Sequence, residues 1–170
     1  MKTAAILCFL TAMIFVATTS AHAQAPVQSI TIERGPCLGI CPVYRFSVSV
    51  DGTGLFEGRK FTTALGKHGF VVTPEAWAAF QSALAPYRPV GTQEIVLGHP
   101  QCKQMATDHP SVSVTWEGGG RVDHLSFNFG CRDPENETMG RALADAPNLL
   151  PVADLIERIR LEDGEFHGRN

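Results

Sequence analysis

The sequence predicts an α+β fold: an antiparallel β-sheet of about five or six strands with two to three helices packed on one of its faces. Three observations predict it. Tyr44, Phe46, Val48 and Val50 alternate with Arg45, Ser47 and Ser49, the period-two pattern of a half-buried antiparallel strand, and a glycine-rich turn follows directly. Apolar stripes of helical period occur at Trp77, Phe80 and Leu84 and again at Val152, Leu155, Ile156 and Ile159. The strand and helix segments do not alternate as β-α-β units, so nothing in the order suggests a parallel sheet.

The elements follow in order. Ile30 and Ile32 mark a first strand near 29–34. The alternating run 44–50 is the second, and Asp51-Gly52-Thr53-Gly54 is its hairpin turn, with glycines supplying positive φ. Leu55 to Phe61 returns as the third strand, and Phe70-Val71-Val72 reads as a short fourth. Thr73-Pro74-Glu75 opens a helix: a capping hydroxyl, a proline where its missing N–H is harmless, and an acid at the positive end of the dipole. Pro86 ends that helix, and Glu94 to Leu97 offers one more short strand. Val112, Val114 and Trp116 mark a strand, Gly118-Gly119-Gly120 a turn, and Val122 to Phe129 the return. Val122 and Leu125 differ in parity, which predicts a bulge near Asp123 or His124. Asp133-Pro134 is expected to cap a short helix carrying Met139 and Leu143, and a last helix is expected from about Pro151.

The chain's first 23 residues read as a cleaved signal peptide. Met1-Lys2 is a positive start, Ala4 to Thr18 is apolar and uncharged, and Ala21-His22-Ala23 is a small-x-small cleavage pattern that places the mature start at Gln24. Residues 24–28 read as a short tether, 29–161 as a single α+β domain, and 162–170 as a flexible charged tail. Of 14 basic residues the leader carries one, leaving 13 against 17 acidic side chains and a net charge of −4. That mild acidity supplies no basic patch for nucleic acid, and no second long apolar segment gives the mature chain a transmembrane span. The expected location is periplasmic or secreted, with an envelope or extracellular partner.

The mature chain holds Cys37, Cys41, Cys102 and Cys131, an even number suited to an oxidising compartment. Four cysteines allow three pairings, and sequence does not decide among them. The favoured one is Cys37–Cys41, which closes a Pro/Gly-rich loop, with Cys102–Cys131, which ties the loop before one strand to the end of the next. Loop closure gives the long bridge about 3.5 kcal/mol and the short one about 2 kcal/mol.

The segment Cys37-Leu-Gly-Ile-Cys41-Pro42 admits a sharper reading. Its C-x-x-x-C-P spacing resembles the copper site of the Sco-type thioredoxin-fold chaperones, where two thiolates and a distant histidine hold the metal. Here, however, the motif leads into the strand Val43–Val50 and not into a helix whose dipole would favour a thiolate. A second resemblance covers more residues. Arg34, Cys37, Gly39, Cys41, Pro42 and Tyr44, then Asp51-Gly52, Phe56 and Gly58, resemble the signature of an uncharacterised bacterial domain-of-unknown-function family of exported proteins and lipoproteins. The resemblance is specific over 30–60 and general through the Asp108-x-Pro110 segment and the final helix. It implies a fold and no activity. Cys102 and Cys131 look like an added staple.

Other groupings are weaker. His99, Cys102, Asp108, His109, His124 and Cys131 are ligand types without a fixed metal spacing. Asp108-His109 could form an acid–base pair, but no nucleophile accompanies it. The chain contains no G-x-S-x-G, no H-E-x-x-H and no phosphate-cradling glycine loop, so no catalytic residue and no cofactor is assigned. Trp77 and Trp116 read as core. Tyr44 lies on the apolar strand face and its hydroxyl needs a partner, for which Arg34 and Asp108 are candidates. The favoured reading is a buried polar anchor; the functional alternative makes Arg34, Tyr44 and Asp108 a ligand contact at the rim of the sheet.

Two readings follow. The first is a non-catalytic, disulfide-stabilised exported module that binds a protein, envelope component or small ligand. The alternative is a thiol-redox or copper-binding protein using Cys37 and Cys41, with His99, His109 or His124 completing the metal site.

Overall fold

The computed structural model describes residues 26–156. The predicted leader, the first part of the tether, the end of the last helix and the tail lie outside the described residues.

Alternation dictates the strands: β1 (Ser29–Arg34), β2 (Val43–Ser49), β3 (Thr53–Lys60), β4 (Gly66–Val71), β5 (Thr92–Ile95), β6 (Ser111–Gly118) and β7 (Arg121–Asn128). They form one sheet in the order β4-β3-β2-β1-β6-β7-β5. Every neighbouring pair is antiparallel except β5 with β7, which is parallel. The sheet is thus seven-stranded and mixed, where the sequence predicts five or six antiparallel strands. The difference arises because the link from β4 to β5 travels from one edge of the sheet to the other. β4 also begins earlier than Phe70, since paired glycines hide its alternation.

The register places Ile30 and Ile32 of β1, Phe46 and Val48 of β2, Phe56 of β3, Val112, Val114 and Trp116 of β6 and Leu125 and Phe127 of β7 on one face, all nearly fully buried. Three α-helices among the described residues accompany this sheet: α1 (Pro74–Leu84), α2 (Glu137–Asp145) and α3 (Ala153–Ile156). In α1 the Thr73 hydroxyl accepts the Ala76 N–H at 3.2 Å, and Trp77, Phe80 and Leu84 are buried. Phe80 stands 6.0 Å from Phe46, so α1 lies over β2. Met139 and Leu143 of α2 join the same cluster. Asp133 does not cap α2: Pro134 opens a 3-10 turn, and the Asp133 carboxylate accepts the Lys103 N–H at 3.2 Å.

β7 carries no bulge. It pairs with β6 without interruption from Ser111↔Asn128 to Gly118↔Arg121. The parity conflict resolves the other way: Val122 points outward, 61 % exposed, and Asp123 points inward, 1 % exposed. Asp123 is held there by Arg88 at 2.7 Å, the Gly91 N–H at 2.8 Å and Arg121 at 2.8 Å. The register shift that does occur lies at Val43/Tyr44, where β2 leaves the cysteine loop.

The opposite face of the sheet presents Ser29, Thr31, Ser47, Ser49, Ser113, Thr115 and Ser126, none of them buried. It is a hydroxyl-rich polar face, the solvated side of an antiparallel sheet.

Candidate functional site

β1 and β2 pair antiparallel, and the loop between them holds both cysteines of the first pair. Of the three connectivities that four cysteines allow, the structure contains Cys37–Cys41 and Cys102–Cys131, with Cα separations of 5.8 and 5.0 Å. The two bridges sit in different surroundings. Cys102 and Cys131 are buried in the core, whereas Cys37 and Cys41 are half-buried. Gly39 at the loop tip has φ 126°, open to glycine at little strain, which lets five residues turn back on themselves. The tip exposes Leu38 (79 %) and Ile40 (46 %).

Beside this loop lies a groove of about 670 Å³. One wall comes from β1, β2 and their loop: Arg34, Ile40, Cys41, Pro42 and Tyr44. The opposite wall comes from the end of α2, the turn after it and α3, with Asp145, Pro147, Asn148, Asp154 and Ile156. Phe61 and Pro110 complete the lining.

Arg34 and Tyr44 are register partners, so one residue pair of the ladder delivers both to the groove. Tyr44 is buried, with its ring 6.2 Å from Phe46 and 5.9 Å from Phe56. The Arg34 guanidinium carbon lies 4.2 Å from the centre of the Phe129 ring, a cation–π stack. Asp108 is not brought to the groove. It is exposed, its carbonyl accepts the Leu38 N–H at 3.2 Å, and its carboxylate accepts the Thr107 hydroxyl at 3.1 Å. Asp108 therefore braces the cysteine loop through its backbone.

Phe61, which the sequence does not single out, adopts φ 55° and remains 41 % exposed. Phe61 and Asp108 are the non-glycine residues of positive φ among the described residues, and both serve this end of the molecule. A bulky aromatic in that region is strained, and such strain collects at ligand clamps. Its position follows from Gly58, which faces Tyr44 across β2 and β3. The Thr62 hydroxyl donates to the Ala64 carbonyl at 2.8 Å, folding the chain back over Gly58 where any Cβ would strike both residues. The Ala64 N–H then donates to the Leu155 carbonyl at 3.1 Å, tying the Phe61 segment to α3.

The histidines are dispersed. His99 Nδ1 accepts the Gln101 N–H within its own loop, His109 Nε2 stands 2.8 Å from Arg132, and His124 Nδ1 stands 3.0 Å from the Thr115 hydroxyl on the polar sheet face. Among the described residues no three His, Cys, Asp or Glu side chains converge to hold a metal. No helix among them is long and apolar enough to cross a membrane.

Residues 28–146 match the family described as domain of unknown function DUF6438. The chain belongs to that family. No curated protein matches it.

Proposed function

For this member of a family without an assigned activity, we propose that the chain is an exported, non-catalytic binding module whose ligand sits in the groove beside the Cys37–Cys41 loop. The observation that carries the reading is the meeting, in one cavity, of a covalently closed loop, a strained and exposed Phe61, and the Arg34–Tyr44 pair. Pre-organised side chains around a concave site of this size are what a small-ligand pocket requires. Export through a leader cut after Ala23 suits the two disulfides, which persist in oxidising compartments.

The test is a screen of small neutral fragments by amide NMR, on protein purified oxidised. Hits are expected to perturb residues 39–44, Phe61 and 145–156. Hits that cluster instead on Thr31, Ser47 and Thr115 would move the site to the polar sheet face. Phe61→Asn is expected to weaken groove binding at least about fivefold while changing stability by less than about 1 kcal/mol, because asparagine tolerates positive φ. N-terminal sequencing of the exported material is expected to begin at Gln24.

A second reading has one observation in its favour: Cys41 forms part of the groove wall. There the Cys37–Cys41 bond would exchange with a dithiol partner bound in the groove. Titration against glutathione buffers separates the two readings, since a structural bridge resists reduction where an exchanging one does not.

A further inference from the structure

The groove's lining also indicates what kind of ligand fills it. Resting on the reading above, we propose that the ligand is an extended peptide carrying a lysine or arginine beside apolar side chains. The charge balance is the first argument. Asp145 and Asp154 stand on the helical wall, against the guanidinium of Arg34, which is stacked on Phe129. Among the described residues that is two carboxylates against one cation, a negative lining where phosphate, nucleic acid and anionic headgroups meet repulsion. A purely apolar ligand would strip water from both carboxylates and return no partner. A ligand bearing a cation beside apolar groups satisfies the walls together.

The shape of the apolar surface is the second argument. Ile40, Phe61 and Ile156 line the groove, and the exposed Leu38 lies beyond it on the tip of the disulfide loop. The apolar rim thus continues outside the cavity, where a compact amine would not reach and an extended chain would. The loop that carries it is closed by a covalent bond and braced by the Asp108 carbonyl, so a peptide docks on a surface already ordered.

Three capped tripeptides test the proposal on the oxidised chain by titration calorimetry and amide NMR: acetyl-Leu-Lys-Phe-amide and its Gln and Glu counterparts at the central position. The Lys peptide is expected to shift Ile40, Phe61 and residues 145–156. It should bind at least about fivefold more tightly than the Gln peptide, with Glu weakest and the preference shrinking as salt rises to ~0.5 M. The double variant Asp145→Asn/Asp154→Asn is expected to bind Lys and Gln peptides alike. Its thermal transition, compared with that of the parent, separates this loss from unfolding. If the Glu peptide binds in the groove as well as the Lys peptide or better, the ligand class is overturned and the groove stands. If neutral fragments enter the groove but none of the three peptides does, the peptide proposal alone fails. If no fragment or peptide perturbs the groove, both fail.

Discussion

Asp123 is a carboxylate with 1 % exposure on the core face of β7, and it stays ionised. Burial opposes its charge, but hydrogen bonds from Arg121, the Gly91 N–H and Arg88, with the charge of Arg88, outweigh that and bring the carboxyl to about 2. The unfolded carboxyl protonates near 3.8. The stability it contributes is therefore complete above that value and is lost as the pH falls from there towards 2. Asp123→Asn leaves Arg88 buried without its carboxylate and should cost about 3 kcal/mol at neutral pH. Urea titrations across the acid range provide the check: the gap between parent and variant should narrow from pH 4 downwards, and a gap that stays constant would assign the loss to packing. The residue also shows where the sequence misleads. An inward charge breaks the apolar alternation, so a regular strand reads as a bulged one; Arg88, the partner that makes the charge tolerable, lies 35 residues away. Phe61 is illegible for a related reason, since Lys60-Phe61-Thr62 contains no glycine to announce positive φ.

Elements whose cause is local are the ones the sequence reveals. β2, β3 and their Asp51-Gly52 turn are set by alternation and by glycine, and α1 by Thr73, Pro74 and its apolar stripe. β5 is four residues long and owes its existence to β7, a partner no local pattern names. β4 is an edge strand with glycines at 66 and 69, so its end near Phe70-Val71 is recognisable but its beginning has too little alternation to read. The two cystines act on elements differently. Cys102–Cys131 spans 29 residues and lies in the core, where the backbone of Cys131 also pairs antiparallel with that of Met105. Cys37–Cys41 spans 4 and shapes one surface loop. Closure entropy favours the longer bridge by about 1.5 kcal/mol. Removing it also empties buried sulfur volume, which adds a packing loss. Cys102→Ala/Cys131→Ala should therefore lower the urea midpoint clearly more than Cys37→Ala/Cys41→Ala. The latter pair should instead blunt groove binding, because Ile40 and Cys41 lose their fixed place. Equal midpoints would show that the core already holds the second pair together.

At the scale of the molecule, a polar sheet face lies opposite a helical layer, and the groove opens at the end where the cysteine loop meets α2 and α3. The two-layer α+β arrangement is legible because hairpins and helical stripes are local. The groove is not, because its walls come from segments around 34–44, 61, 110 and 144–156, which only the tertiary fold brings together. Arg34, Cys41 and Tyr44 could be found in advance because they crowd one motif, whereas Asp145 and Asp154 had no motif to mark them. If the groove depends on both layers, the layers should not unfold apart. The core cluster runs without interruption from Trp77 in α1 to Trp116 in the middle of the sheet. Trp77→Phe leaves a single tryptophan reporting the sheet, and Trp116→Phe leaves one reporting the helices. Each variant will shift its own midpoint, so the comparison is made within a variant, between tryptophan fluorescence and far-ultraviolet circular dichroism. In both, the two curves should coincide, as they do for one cooperative unit. A helix-layer transition at lower urea than the loss of sheet signal would mean that the groove opens while the sheet persists. Ligand in the groove would then be expected to raise the first transition and leave the second in place.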